Sequence, residues 1–282
     1  MERVSAQEGT QSGSVVKAWL GLLKWGAAFV LFQVVVPYLP TGGHPVLTVV
    51  ISTLAFLLLS LALILYAAQS PLPTAHRLAL LVIGVLMWGG LRKFDIVSEL
   101  GLIFAAIGLG MLVALAIRYP NILLPVALVA ALVDIWTVKM GGPVSQALEK
   151  APTIAQIATV KIPQMGAARA QPRGKAPPPL ALMGVGDFLF LTVLFACLAK
   201  FQMNLFGAFW WSVGLSLVAF LLLPVVKTPL PGLPFIALGI IIPNWRYFQF
   251  TRAEKFAMLY AAILLAVVLA IGFFVTQALR RT

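Results

Sequence analysis

Apolar runs of membrane-crossing length recur along this chain, and they restrict its fold more than any other feature. A helix needs roughly 20 apolar residues to cross a bilayer, within a range of about 17–25. Candidate spans lie at 16–39, 45–68, 77–91, 97–118, 121–138, 180–200, 205–227, 230–244 and 254–279. Glycine and proline mark the joints, as in "PYLPTGGHP", "QSPLPT" and "KTPLPG". The chain is 61% hydrophobic and only 10% charged, where a soluble globule carries about 25% charged residues. The expected fold class is therefore an all-α polytopic membrane protein with about nine transmembrane helices.

Two segments break the apolar pattern. Residues 1–14 form a polar N-terminal tail. Residues 139–179 form a basic hydrophilic loop with six Lys or Arg and one Glu. The part from Gly166 onward, rich in Ala, Pro, Gly and Arg, is expected to be disordered. "PVSQALEKA" within the first part suits a short surface helix. This loop separates an N-terminal helical half, 15–138, from a C-terminal half, 180–282. The positive-inside rule puts the loop and the C-terminus in the cytoplasm and the N-terminus outside. The net charge of +12 is spread over loops without interleaved aromatics, so it suits lipid headgroups and no nucleic acid. The single cysteine, Cys197, lies in an apolar run and reads as a small core residue.

Of the eight acidic residues, Asp134 and Asp187 fall within apolar stretches; the other six, Asp95 and Glu99 among them, read as belonging to tails, loops or span ends. A carboxylate at mid-span costs about 2.5–3.5 kcal/mol on insertion scales, so its default meaning is function. Asp134 precedes Lys139 by five residues, roughly 7–8 Å of helix, and Asp187 follows Pro179 by eight, roughly 12 Å. These depths match if both helices start at the same face. Ala127, Ala130, Ala131 and Asp134 share one helical face, and Gly184 shares one with Asp187, so small residues permit close approach. Two carboxylates held together share one proton. The ionised member can then activate a water while the protonated member polarises a peptide carbonyl. The same pair would also serve as a proton relay or ion site of a transporter or channel. No cofactor and no metal set is legible.

The residues around Asp187 read "MGVGDFLF", with Gly184-Val185-Gly186-Asp187. This resembles the GxGD signature of the presenilin and signal peptide peptidase family. "VDIWTVKMGGPVSQALEKA" resembles that family's stretch after its first catalytic aspartate. "LSLVAFLLLPVVKTPLPGLPFIALG" resembles its passage into the PAL motif, with Pro231-Gly232-Leu233-Pro234 in place of Pro-Ala-Leu-Pro. The first aspartate follows Val133 where the family usually has tyrosine. The resemblance covers roughly residues 130–240 and is closest to prokaryotic presenilin-like members. It implies an intramembrane aspartic endopeptidase of the cell membrane, with Asp134 and Asp187 catalytic. It also implies substrate contacts from Gly184, Gly186, Pro231, Gly232 and Leu233, and transmembrane segments of other proteins as partners. A presenilin-like scaffold without catalysis is a further class consistent with the same residues.

Overall fold

The computed structural model describes residues 2–41, 45–139, 158–170, 178–226 and 230–281. The helices are α1 (Glu2–Val35), α2 (Pro45–Gln69), α3 (Thr74–Gly90), α4 (Asp95–Ala116) and α5 (Leu123–Lys139). After these come strand β1 (Thr159–Pro163), a helical turn α6 (Ala167–Ala170) and strand β2 (Pro179–Gly184). Helices α7 (Val185–Lys200), α8 (Leu205–Val226), α9 (Leu233–Asn244) and α10 (Arg252–Arg281) complete the order. Among the described residues, five helices are long and apolar enough to cross a membrane, in α1, α2, α4, α5 and α8.

The expectation of nine spans is therefore not met among these residues, and for two of the runs the reason is local. The run at 180–200 begins as a strand, which shortens its helix to 16 residues. The run at 230–244 begins in "PGLP" and carries Pro243 near its end, which leaves a helix of 12 residues. Proline supplies no backbone N–H, so it fits only where a helix starts or is broken. The polar tail is part of α1, which is helical from Glu2. Extending an existing helix is far easier than nucleating one, so the apolar part of α1 carries its polar end along.

The described residues divide into two compact units, Met1–Ala116 with Thr159–Lys200, and Ile117–Ala158 with Phe201–Thr282. These units do not correspond to the halves on either side of the basic loop.

In the first unit, α3 and α4 pack through glycine. A Cβ built on Gly101 would lie 2.6 Å from the Trp88 backbone nitrogen, and one on Gly108 would lie 2.5 Å from that of Leu81. Only hydrogen at these positions permits such close approach, the device that holds helices together where lipid gives no hydrophobic drive. Gly110 brings α4 equally near Thr192 of α7, at 2.7 Å for a built Cβ. Three fully buried rings tie α1, α2 and α7 together. Phe29 and Phe56 have centroids 5.9 Å apart, and Phe56 meets Phe188 edge-on at 6.4 Å. Edge-to-face pairs of this kind contribute about 0.5–1.5 kcal/mol beyond area burial. Cys197 is also fully buried in α7, as a small core residue. Lys200 at the end of α7 donates to the Ala114 and Leu115 carbonyls at 3.3 and 3.2 Å, satisfying the last turn of α4.

In the second unit, α8 and α9 approach at Gly239, where a built Cβ would lie 2.7 Å from Ser212 Oγ. Asn244, fully buried at the end of α9, accepts from the Asn204 N–H at 2.8 Å and donates to the Asn204 and Ile240 carbonyls at 3.3 and 2.9 Å. This fixes the far end of α9 to the start of α8. Helix α5 packs against α9 and α10, and Gly272 of α10 leaves room for the Trp136 ring.

Candidate active site

Asp134 and its partner segment belong to the second unit. Asp134 sits on α5 beside Ala127, Ala130 and Ala131, which are buried as their spacing suggests. Its Oδ2 accepts the backbone N–H of Leu233 at 2.9 Å. The backbone of Gly232 also hydrogen-bonds to this carboxylate.

The sequence explains why Asp134 is needed there. The first turn of any helix has N–H groups without intrahelical partners. At α9 the N-cap is Gly232, which has no side chain to cap them. Pro231 and Pro234 have no N–H to offer, so Gly232 and Leu233 carry the donors at this end. An acid on another helix supplies the missing acceptor, and its charge is favourable at the positive end of the α9 dipole. Three of the sequence-predicted residues, Asp134, Gly232 and Leu233, are thus brought together, with Pro231 adjoining them. Pro229 lies outside the described residues.

Asp187 belongs to the first unit. It is half-buried in the first turn of α7, a position favourable for a carboxylate. The helix depth of roughly 12 Å expected for it does not apply, because Pro179–Gly184 is extended. Strand β2 pairs antiparallel with β1 in the register Thr159↔Gly184, Val160↔Met183, Lys161↔Leu182 and Ile162↔Ala181. Val160 and Ile162 are fully buried. Two prolines, Pro163 and Pro179, face each other where the ladder ends with a register irregularity.

Gly184 and Gly186 flank Val185 where β2 passes into α7. Neither is among the positive-φ residues, and neither packs tightly. A Cβ on Gly184 would meet Asp187 Oδ2 only at 3.8 Å, and one on Gly186 would meet nothing within 4 Å. Among the described residues, the side of Gly186 where a Cβ would stand is unfilled.

The segment expected to be a loop also carries structure. Beyond β1, Gly166 takes a φ of +76° and is buried with Ala167, and the turn α6 follows. The backbone N–H of Met165 donates to Ser52 Oγ of α2 at 3.2 Å. Gly166 and Ala167 are thus buried where disorder was expected, while residues 171–177 and the "PVSQALEKA" segment lie outside the described residues.

One buried acid escaped the sequence reading. Glu99, read as a span-end residue, is only 7% exposed in α4. Its spacing of four from Asp95 puts both on one helical face, which is the sole sequence signal; its partner Lys161 lies 62 positions away. Asp95 accepts from Lys161 Nζ at 2.8 Å. For Lys161, burial lowers the pKa, but the hydrogen bond to Asp95 and the charges of Glu99 and Asp95 outweigh it and hold the ammonium above the usual lysine range.

Comparison with known proteins found no matching family, no similar curated protein and no similar solved structure.

Proposed function

We propose that this protein is an intramembrane aspartic endopeptidase of the cell membrane that cuts transmembrane segments of other proteins, with Asp134 and Asp187 as the catalytic pair. The observation that carries this reading is the hydrogen bond from Leu233 to Asp134. It joins the first aspartate to the PAL-like segment, two separate parts of the presenilin-like pattern. The extended strand leading into Asp187 supports the same reading. A substrate helix must unwind to be cut, and an extended backbone beside a carboxylate suits an unwound chain.

In this reaction the ionised carboxylate takes a proton from water as the oxygen attacks the peptide carbonyl carbon. The protonated carboxyl donates to the carbonyl oxygen. Collapse of the tetrahedral intermediate breaks the C–N bond: the proton taken from water passes to the leaving amine, and the one lent to the carbonyl oxygen returns to the carboxylate that gave it. The chemistry needs no cofactor.

The test is cleavage of transmembrane-peptide libraries by the full chain in liposomes. Asp134→Asn and Asp187→Asn should each abolish cleavage, since an amide keeps the shape but cannot exchange the proton. Wild-type cutting by either variant would end the proposal. A proton-coupled flux without cleavage would instead establish a transporter.

A further inference from the structure

Two basic residues lie within α1 itself, where a loop position would be expected for them. Lys17 and Lys24 are both exposed. Their spacing puts them on one helical face, with Gly21 one turn from each. The phenol of Tyr66, from α2, lies over Gly21, where any side chain would strike it. The Tyr66 hydroxyl donates to the Lys17 carbonyl at 3.0 Å. A tyrosine thus stands between two lysines. Leu20 and Leu31, 61% and 63% exposed, continue the same face along the helix. Among the described residues the ion pairs belong to Lys161, and neither Lys17 nor Lys24 has an acid within ion-pair distance.

The depth of this group follows from the helix. The segment Gly13–Tyr38 is long and apolar enough to cross a membrane. Trp19 and Tyr38 are separated by roughly 28 Å at helical rise, close to the thickness of a hydrocarbon layer of about 30 Å. Aromatic rings at both ends of that length suit the two membrane boundaries. Lys17 then lies in the headgroup layer, and Lys24 lies roughly 7–8 Å below Trp19. Helical side chains lean toward the helix N-terminus, so Lys24 leans back toward Lys17. Its methylenes can lie along Leu20 while its ammonium reaches headgroup level. Two ammonium groups gathered at one level repel each other unless an anion stands between them.

We propose that Lys17 and Lys24, on either side of Tyr66, bind the phosphate of an anionic phospholipid whose acyl chain lies along Leu20 and Leu31. The apolar face that continues from the lysines favours a lipid over free phosphate. A zwitterionic lipid offers the same phosphate but brings its own ammonium, which the two lysines repel. An acidic helix of another protein would need its carboxylates at this boundary, whereas an anionic lipid presents its phosphate there in every copy. The site is independent of the proposed proteolysis.

The test is native mass spectrometry of the full chain released from nanodiscs of equimolar phosphatidylglycerol and phosphatidylcholine. The wild type should retain phosphatidylglycerol preferentially. Lys17→Gln and Lys24→Gln should each weaken that preference about fivefold, the scale of one basic side chain at an anionic surface. The double change Lys17→Arg with Lys24→Arg should keep it. Lys93→Gln, at an exposed lysine in the turn between α3 and α4, should leave it unaltered. Equal retention of the two lipids by the wild type overturns the site. An unchanged preference in both glutamine variants, or an equal loss in Lys93→Gln, overturns it as well. Displacement of the lipid by inorganic phosphate, but not by chloride of equal ionic strength, would make the occupant free phosphate and overturn the lipid assignment. A co-purifying protein chain that Lys24→Gln releases would make the occupant a partner helix, with the same result.

Discussion

The backbone N–H of Leu233 donates to the Asp134 carboxylate at 2.9 Å, joining residues 99 positions apart. An acid in one apolar helix thereby caps the start of another. The interaction is charge-assisted, and removing it takes the side-chain acceptor from the donors at the α9 N-terminus, where the Gly232 N-cap has no side chain to replace it.

Asp134→Leu should therefore fray α9 as well as abolish any activity, with a stability loss of about 1–3 kcal/mol. Asp134→Asn keeps an acceptor and should hold the first turn of α9. Amide exchange at Leu233 separates the two: fast in the leucine variant, near wild type in the asparagine variant. Equal protection in all three proteins would show that the cap is dispensable.

Gly186→Ala tests whether substrate approaches the Gly186 backbone. Among the described residues the added methyl meets nothing within 4 Å, so the variant should fold normally. Alanine is also the better helix former by about 1 kcal/mol in a helix interior, and somewhat less in this first turn. Thermal stability should be unchanged or slightly raised while cleavage falls at least several-fold. Wild-type cleavage would mean that substrate does not approach there.

Gly108→Leu should have the opposite profile. A Cβ there would lie 2.5 Å from the Leu81 backbone nitrogen and 2.8 Å from its Cα, and backbone cannot yield as a side-chain tip can. Overpacking costs typically about 1–3 kcal/mol, and forcing two backbones apart should lie at or above the upper end. A lower unfolding midpoint in detergent titration is the expected result, and an unchanged midpoint would contradict the close seam.

Lys161 gives a pH dependence with a defined sign. Its pKa is raised in the folded protein, because Asp95 and Glu99 outweigh the effect of burial. A raised lysine pKa contributes stability that is complete below the unfolded-state value and is lost as pH rises through the folded value. The strand pair should therefore keep its protection through neutral and mildly alkaline pH and lose part of it only above the ordinary lysine range. The side chain is 43% exposed, so solvent screening keeps the effect modest. Lys161→Met should flatten that alkaline limb; an unaltered limb would assign it to another group.

Much of the helical pattern is legible in the residues themselves. Long apolar runs predict α1, α2, α4, α5 and α8, because burying or lipid-exposing such runs leaves a helix as the means of satisfying their backbones. The late start of α9 follows from Pro231 and Pro234, whose missing N–H groups cannot serve a helix interior. Asp134 stands out because an acid amid Ala127, Ala130 and Ala131 needs a partner. The identity of that partner, Leu233, was decided in space.

Tertiary structure alone decided the rest. "PLALMG" is apolar and short, and such a run suits helix or strand equally by its own periodicity. It becomes β2 because β1 offers a ladder of backbone partners, and that pairing moves Asp187 from the interior of an expected helix to its first turn. Glu99 looks like a span-end acid because its neighbours in sequence are those of a helix start. It is buried because Lys161 and Gln33, distant in the chain, bring donors to it. A buried charge is tolerated only where donors converge on it, and that convergence is a property of the packed chain, absent from any local stretch of residues.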